Sequence, residues 1–174
     1  MRIVLYIAAS LDGFIADHEA GVDWLERIAD PADGDYGYTE FYRGIGALAM
    51  GQTTYDQVRG FGEWPYPGKP TVVFTHDPPD PGLPDVSFTS DDPVDVVTSL
   101  REQTEGDLWL VGGGELIASF RKRGLIDEYF ITLMPVLLGE GIPLFPGTQP
   151  EASLQTVSVQ RFESGIVQLR YAAD

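Results

Sequence analysis

Three glycine corners, each directly after an apolar run, most constrain how this 174-residue chain can fold. They are Asp12-Gly13, Gly51-Gln52-Thr53-Thr54 and Gly112-Gly113-Gly114. Because glycine has no Cβ, the backbone can turn sharply there and lie close to a ligand. Where a helix follows the corner, its first N–H groups lack partners within the helix and favour an anion such as phosphate. Tight strand-to-helix turns also use glycine for steric reasons alone, so each corner by itself leaves both interpretations open. In an open parallel sheet, however, all three corners are expected to meet at one edge, which favours a ligand site.

Apolar runs alternate with amphipathic segments through the middle of the chain and predict an α/β domain. The predicted strands are 3–9, 14–16, 47–50, 71–74, 86–88, 108–111 and 127–138, with a terminal hairpin of 154–160 and 166–171 around the turn 163–165. The predicted helices begin near residues 22, 36, 51, 93 and 114, and Val94, Val97 and Leu100 are expected to face the core. This order is typical of a mostly parallel sheet with an antiparallel edge.

Composition excludes several classes of protein. The apolar fraction of 43% fits one globular domain over residues 1–174. A net charge of -16 argues against a nucleic-acid surface, and no apolar run is long enough to cross a membrane. The chain has no cysteine, and His18 and His76 belong to no ligand-spaced cluster, so we expect no metal site. Nothing at the N-terminus resembles a signal peptide, and we expect a cytoplasmic protein.

Four segments in order resemble the dihydrofolate reductase fold family. They are Ala8–Ala16, Met50–Tyr55, Val111–Gly114 and Pro135–Phe145, and together they extend over nearly the whole chain. Within that superfamily the chain is most similar to the reductase domain of bifunctional riboflavin-biosynthesis deaminase-reductases and to their stand-alone relatives. The resemblance implies a three-layer fold, with helices on both faces of the sheet.

The same resemblance implies an NADPH-dependent reductase and assigns its cofactor residues. The residues implied to contact the nicotinamide, the phosphates or the adenosine are Ala8, Ile15, Gly51, Gln52, Thr53, Thr54, Thr75, His76, Val111, Gly112, Gly113, Gly114, Glu115, Leu116 and Ile117. The family often has a cis peptide bond among its late glycines. It also often carries arginine at position 52, where a guanidinium pairs with the 2′-phosphate of NADPH. This chain has Gln52 there, so NADH stays an alternative.

The resemblance also suggests residues on the substrate side. By spacing, Asp35 is the nearest match to the carboxylate that supplies a proton in dihydrofolate reductases, although it lies in an acidic run that is typical of a solvated face. Tyr38 and Tyr42 are expected to line the slot for the substrate ring. Asp12 and Thr132 are further candidates for substrate contacts, and turn formation and core packing are the respective competing explanations.

We therefore expect hydride transfer to a small heterocycle, with the phosphoribosylaminopyrimidine of riboflavin biosynthesis as the first substrate class. A pterin, another small carbonyl or imine, and a non-catalytic nucleotide-binding role are the alternatives. The riboflavin-pathway reductases hold a ribose phosphate through basic residues near the second corner, and such a clamp is not evident here. Arg43 and Arg59 are candidate fragments of one, and an ordinary surface position is the competing explanation for each. A terminal hairpin leaves an edge strand exposed, so we expect a homodimer.

Overall fold

The computed structural model describes residues 1–79 and 83–174 and is built around an eight-stranded sheet. The strands are β1 (Ile3–Ser10), β2 (Phe14–Ala16), β3 (Ile45–Gly51), β4 (Thr71–Phe74), β5 (Val86–Thr89), β6 (Asp107–Gly112), β7 (Glu128–Met134), β8 (Ile142–Pro143), β9 (Leu154–Arg161) and β10 (Val167–Ala173). The helices are α1 (Asp23–Ile28), α2 (Tyr38–Arg43), α3 (Gln52–Gly60), α4 (Pro93–Gln103) and α5 (Gly114–Lys122). Within the described ranges, no helix has the length and apolar character needed to span a bilayer.

The sheet order confirms the predicted mixture of parallel and antiparallel strands. The order is β5-β4-β3-β6-β1-β7-β10-β9, with β2 and β8 forming a separate small ladder. Neighbouring strands from β5 to β7 are parallel, whereas β10 is antiparallel to both β7 and β9. The carboxyl ends of the parallel strands therefore lie along one edge of the sheet, which is where such folds bind ligands.

Alternating side chains of the central strands face two separate apolar layers. Leu5 of β1 lies in one core with Val97 of α4 and Phe120 of α5. On the opposite face, Trp109 of β6 packs in a second core with Tyr55 of α3. Because a strand points successive side chains to opposite faces, this alternation places helices on both sides of the sheet and confirms the three-layer arrangement.

Two details of the sequence prediction are wrong. Val94 is 44% exposed, because the face of α4 that packs against the core is formed by Pro93, Val96, Val97 and Leu100. Val96 therefore takes the core position that was predicted for Val94. The strand predicted over 127–138 is shorter, since β7 ends at Met134, immediately before Pro135. Proline cannot donate to a strand ladder, and the chain leaves the sheet at that point.

The segment after β7 folds back onto the first glycine corner. The carboxylate of Asp12 accepts hydrogen bonds from the N–H groups of Leu138 (3.1 Å) and Gly139 (2.8 Å). The small β2–β8 ladder continues this contact and pairs Phe14 with Pro143. A Cβ built on Gly141 would lie 2.2 Å from a backbone oxygen of β2, so only glycine allows the two segments to approach this closely.

A largely buried carboxylate joins the N-terminus to the terminal hairpin. Glu128 is 6% exposed and accepts hydrogen bonds from Arg170 at 2.5 and 3.1 Å and from Arg2 at 3.3 Å. Since the pair is shielded from water on the Glu128 side, loss of the charge leaves a partly buried guanidinium without its partner.

Substitution of Glu128 should therefore destabilise the fold. We expect Glu128→Gln to lower the free energy of unfolding by about 2 kcal/mol, less than for a fully buried pair because Arg170 is partly exposed. Urea denaturation measures the change. The matched control is Glu102→Gln on the exposed side of α4, which should change stability by less than about 0.5 kcal/mol. Equal effects of the two substitutions would contradict this account.

Candidate functional site

A cavity of about 940 Å³ lies at the edge of the sheet where the parallel strands end. Its wall includes Gly51 at the end of β3, Thr75 after β4, Ser90 after β5 and Gly112 at the end of β6. Two of the three glycine corners thus meet, because β3 and β6 are adjacent parallel strands. The first corner, Asp12-Gly13, lies outside the wall, and β2 contributes Ile15 and Ala16 instead.

Two helices begin at this cavity without a side-chain cap. The residue before α3 is Gly51 and the residue before α5 is Gly113, and neither has a side chain that can accept from the first N–H groups. Helix α4 is different, because the carboxylate of Asp92 accepts from the N–H of Val94 at 2.9 Å. The first N–H groups of α3 and α5, together with the helix dipoles, therefore favour an anion between them.

The backbone at the late glycines leaves room for such an anion. Gly113 has φ +95°, a conformation that residues with a Cβ rarely adopt, and a Cβ built on it would lie 3.5 Å from Thr54 Oγ1. A Cβ built on Gly51 would meet no atom within 4 Å, so the space beside it is open. Every peptide bond within the described ranges is trans, so the cis bond that the resemblance suggested is not found.

The two ends of the cavity differ in chemistry. One end is apolar and is formed by Ala8 of β1, Ile15 of β2 and Leu25 of α1. The other end is polar and follows β4 and β5, where His76 and Asp91 contribute to the wall. The uncapped helix starts lie between these ends, so the wall can accommodate an elongated ligand with an apolar group, a central anion and a polar group.

An ion pair forms part of the polar wall. Arg123 donates to Asp92 from Nε at 3.0 Å and from Nη2 at 2.6 Å, and its Nη1 donates to Ser119 O and Oγ at 2.9 and 2.7 Å. The hydrogen bonds from Arg123, followed by the N–H of Val94, lower the pKa of Asp92. The carboxylate is therefore ionised at neutral pH, and all three guanidinium nitrogens already have acceptors.

Nearly all of the predicted cofactor residues line this cavity. Those in the wall are Ala8, Ile15, Gly51, Gln52, Thr53, Thr54, Thr75, His76, Val111, Gly112, Gly113, Gly114, Glu115 and Leu116. Ile117 is the exception. It is fully buried in the core and its N–H donates to Gly113 O, so the structure places it behind the wall, where it supports the start of α5.

Asp35, the candidate proton donor, lies outside the cavity wall. Its exposed carboxylate accepts from the N–H groups of Gly37 (3.0 Å) and Thr39 (2.9 Å) at the start of α2. Hydrogen bonds from the side chain and N–H of Thr39, and then from Gly37, lower its pKa. A carboxylate held in its ionised form is a poor proton donor, and the structure gives Asp35 a capping role instead.

The predicted ring slot at Tyr38 and Tyr42 is replaced by an aromatic cluster. The two rings stack on each other with centroids 5.6 Å apart, and both contact Trp109. Tyr6 of β1 stacks on Phe41 with centroids 4.1 Å apart, and burial raises the pKa of its hydroxyl to about 12, with a smaller contribution from the charge of Asp35. These aromatic side chains therefore pack against one another in the second core, on the face of the sheet that carries Trp109, and do not line the cavity.

The two remaining substrate candidates also have structural contacts. Thr132 of β7 is 9% exposed, and its Oγ1 accepts from Nε2 of Gln168, its partner across the β7–β10 ladder, at 3.1 Å. Asp12 binds the segment after β7, and the hydroxyl of Ser10, followed by the N–H groups of Gly139 and Leu138, lowers its pKa. Neither residue lines the cavity: core packing accounts for Thr132, and the contacts of the turn account for Asp12.

Several residues of the wall were missed in the sequence. Asp91 and Asp92 follow β5, so the rule that ligands bind at the carboxyl ends of parallel strands could have identified them. Arg123 carried no comparable signal, because its role depends on the direction in which α5 crosses the sheet. Gln57 of α3 lines the wall as well, and its Nε2 donates to the backbone oxygen of Ala20, which is another residue of the wall.

Comparison with known proteins gives a consistent family assignment. Residues 66–168 match the model of the RibD C-terminal domain. The uncharacterised protein YwjB of Bacillus subtilis (strain 168) is 36% identical over 171 residues, which cover 98% of this chain and 97% of YwjB.

Two solved structures share the fold over its full length. A protein assigned to riboflavin biosynthesis from Shewanella sp. PV-4 is 31% identical, with a TM-score of 0.91 and coverage of 100% of this chain and 99% of the other. Dihydrofolate reductase from Enterococcus faecalis, complexed with NADP(H), is 19% identical, with a TM-score of 0.68 and coverage of 99% and 96%. The latter likeness shows the fold alone.

A test of the cavity follows from the open space beside Gly51. We expect Gly51→Ala to weaken binding of NADH and NADPH by at least about tenfold, because the new methyl group occupies space next to the uncapped start of α3. Fluorescence titration measures the dissociation constants. The backbone of Gly51, at φ -80° and ψ 163°, accepts alanine, so the urea midpoint should not change.

The matched control is Gly60→Ala at the other end of the same helix. Its Cβ also meets nothing within 4 Å, and Gly60 does not line the cavity. Dinucleotide binding should stay within about twofold of the unsubstituted protein, a difference below 0.5 kcal/mol. If Gly51→Ala binds as well as Gly60→Ala, the helix start is not part of the binding site.

Proposed function

The chain belongs to the family of RibD C-terminal domains, and from this premise we propose that it is a reductase that uses a nicotinamide dinucleotide. The observation that carries the proposal is the junction of two uncapped helix starts in the wall of a single cavity with one apolar end. A dinucleotide has the matching sequence of groups, with a pyrophosphate between two ring-bearing ends. The NADP(H) complex of the Enterococcus faecalis enzyme, which has the same fold, supports this choice.

The residues present fit such a group. The open space beside Gly51 and the Cβ-free backbone of Gly113 admit a pyrophosphate, and the first N–H groups of α3 and α5 and the hydroxyl of Thr54 donate to it. Ala8 and Ile15 form an apolar surface for the nicotinamide. When bound, the nicotinamide supplies a hydride to an electron-poor carbon of a C=N or C=O bond.

At the apolar end the protein contributes orientation and exclusion of water. Among the described residues that line this end, Ala8, Ile15, Val22 and Leu25 carry no titratable group. Asp35 lies outside the wall and its pKa is lowered. The proton that completes the reduction therefore comes from solvent, and the chain accelerates the reaction by positioning the two reactants in a water-poor space.

Two substrate classes remain for the reductase. Membership of the family favours 5-amino-6-(5-phosphoribosylamino)uracil or a close analogue, which carries a ribose phosphate. The charges of the cavity favour an unphosphorylated heterocycle such as a pterin or a pyrimidine nucleoside, because Arg43 and Arg59 are exposed and lie outside the wall. Cavity-lining cations are the usual means of binding a phosphate dianion, and a surface arginine is screened by water.

Cofactor oxidation with a panel of substrates tests the proposal. The panel holds the phosphoribosylaminopyrimidine, its dephosphorylated form and dihydrofolate, each with NADH and with NADPH. We expect oxidation of the reduced dinucleotide with a pyrimidine substrate, and removal of the phosphate should change kcat/KM by less than about threefold. If the site binds the phosphate directly, its removal should lower kcat/KM more than about tenfold, because hydrogen bonds to charged groups contribute about 1.5–3 kcal/mol.

The alternative of a non-catalytic binding protein gives a different result. Such a protein would bind the dinucleotide tightly and show no oxidation with any substrate of the panel. The Gly60→Ala variant should turn over like the unsubstituted protein, and Gly51→Ala should lose activity through a weaker affinity for the dinucleotide. If the unsubstituted protein and its variants bind the dinucleotide without turnover, the proposed reductase activity is wrong, whereas the proposed nucleotide site still stands.

The same chain presents a surface suited to a second copy. All eight residues of the edge strand β9 are exposed, and they include Val157 at 52% and Val159 at 60%. An edge strand offers unpaired N–H and C=O groups, and neighbouring apolar side chains make it costly to leave in water. We propose that two copies cover their β9 strands in a two-fold symmetric dimer.

Light scattering during size-exclusion chromatography tests the dimer. We expect twice the chain mass of 19.1 kDa, and dissociation to monomers in the double variant Val157→Lys/Val159→Lys. The matched control, Ser99→Lys/Gln103→Lys, adds the same charge to the exposed side of α4 and should remain dimeric. A monomeric unsubstituted protein would show that β9 is stable in water without a partner.

A further inference from the structure

The polar end of the cavity determines which dinucleotide fits, if the site binds one as proposed above. With the pyrophosphate at the starts of α3 and α5 and the nicotinamide at Ala8 and Ile15, the adenosine lies beyond the helix starts, after β4 and β5. NADPH differs from NADH only by a phosphate on the 2′-oxygen of the adenosine ribose. The charges at this end of the wall therefore act directly on the difference between the two cofactors.

The cation of this wall is already neutralised. Of the eleven Lys and Arg residues in the chain, all of which the structure describes, Arg123 is the one that lines the cavity. Its guanidinium pairs with the carboxylate of Asp92 at 2.6 Å, and its remaining nitrogen donates to Ser119. A phosphate at this end would have to compete with Asp92 for Arg123.

The start of α3 offers no cation, and the side chain of its first residue, Gln52, is turned towards Asp56. Gln52 donates from Nε2 to Asp56 Oδ1 at 2.8 Å, so one of its two amide hydrogens already has a carboxylate acceptor. Its Oε1 is buried without a hydrogen-bond partner, and an oxygen acceptor repels phosphate oxygens. Gln52 therefore supplies no charge to balance a 2′-phosphate, in contrast to an arginine at this position.

Carboxylates at the same end suit a hydroxyl group. Asp91 and Asp92 follow β5, are exposed and line the wall; the carboxylate of Asp92 is paired with Arg123. A ribose 2′-hydroxyl can donate a hydrogen bond to a carboxylate, whereas a 2′-phosphate only accepts and carries up to two negative charges. In dinucleotide sites generally, an acidic residue accepts from the 2′-hydroxyl of NAD, and arginine accommodates the 2′-phosphate of NADP.

We infer that this protein selects NADH over NADPH, because the carboxylate of Asp91 repels the 2′-phosphate and Asp92 holds Arg123 away from it. The selection acts on binding, because the nicotinamide end is the same for both cofactors. It is also electrostatic, so it weakens as salt screens the charges. This assignment differs from the NADPH that the resemblance to the family implied.

Binding constants test the inference without relying on turnover. Isothermal titration at pH 8, where imidazole side chains are generally neutral, compares NADH with NADPH and 5′-AMP with adenosine 2′,5′-bisphosphate. We expect the ligand without the 2′-phosphate to bind at least about tenfold more tightly in each pair. In 1 M NaCl the ratio should fall, since the Debye length is then only about 3 Å.

The decisive variant is Asp92→Asn. Asparagine also caps helices, so α4 is retained, while the substitution removes one negative charge and releases Arg123. The ratio of the two dissociation constants should shift at least about tenfold towards NADPH. The added substitution Arg123→Gln should remove most of this gain, because the released guanidinium is its source.

Asp95→Asn is the matched control. It removes the same charge from the first turn of the same helix, outside the cavity wall, and should change the ratio by less than about twofold. Tighter binding of NADPH by the unsubstituted protein, or equal shifts in Asp92→Asn and Asp95→Asn, overturns the inference and leaves the reductase proposal intact. Failure of both dinucleotides to bind overturns the proposed function itself.

Discussion

Unpaired backbone N–H groups at the starts of α3 and α5 are the constraint on which the cavity depends. The chain has a net charge of -16, so its long-range field repels any polyphosphate. Salt screens that field over about 8 Å at physiological ionic strength, whereas N–H groups in contact with an anion are hardly screened. Binding of the proposed dinucleotide therefore depends on local contacts, and Gly51 and Gly113 allow them by leaving both helix starts open to a ligand.

The sheet brings these helix starts together. β3 and β6 are adjacent and parallel, so the helices that follow them begin at the same edge. The start of α5 is fixed further by close packing, since a Cβ on Gly114 would lie 2.7 Å from Pro143 O of β8. The segment after β7, anchored by Asp12, thus packs against the start of α5 behind the proposed anion site, and its residue Ile142 lines the cavity.

The sequence was sufficient for features that depend on local pattern, and insufficient for those that depend on how distant elements meet. The positions of the strands follow from the apolar runs, and the convergence of Gly51 with Gly112 follows from the geometry of parallel strands. The aromatic residues near Tyr38 looked like a ring slot because pattern alone cannot tell a cavity wall from a cluster. Tyr6 fills that space by stacking on Phe41, a contact between β1 and α2 that no local signal encodes.

The acidic residues of the chain explain why this one edge remains open. Away from the starts of α3 and α5, carboxylates repeatedly accept from backbone N–H groups that would otherwise lack partners: Asp12 binds the segment after β7, Asp35 caps α2 and Asp92 caps α4. These hydrogen bonds lower the pKa of each carboxyl, so the acceptors stay ionised at neutral pH. A carboxylate before α3 or α5 would satisfy those helices in the same way and would repel the anion. Glycine at both positions therefore gives up the stabilisation of a cap and leaves the N–H groups available to a ligand.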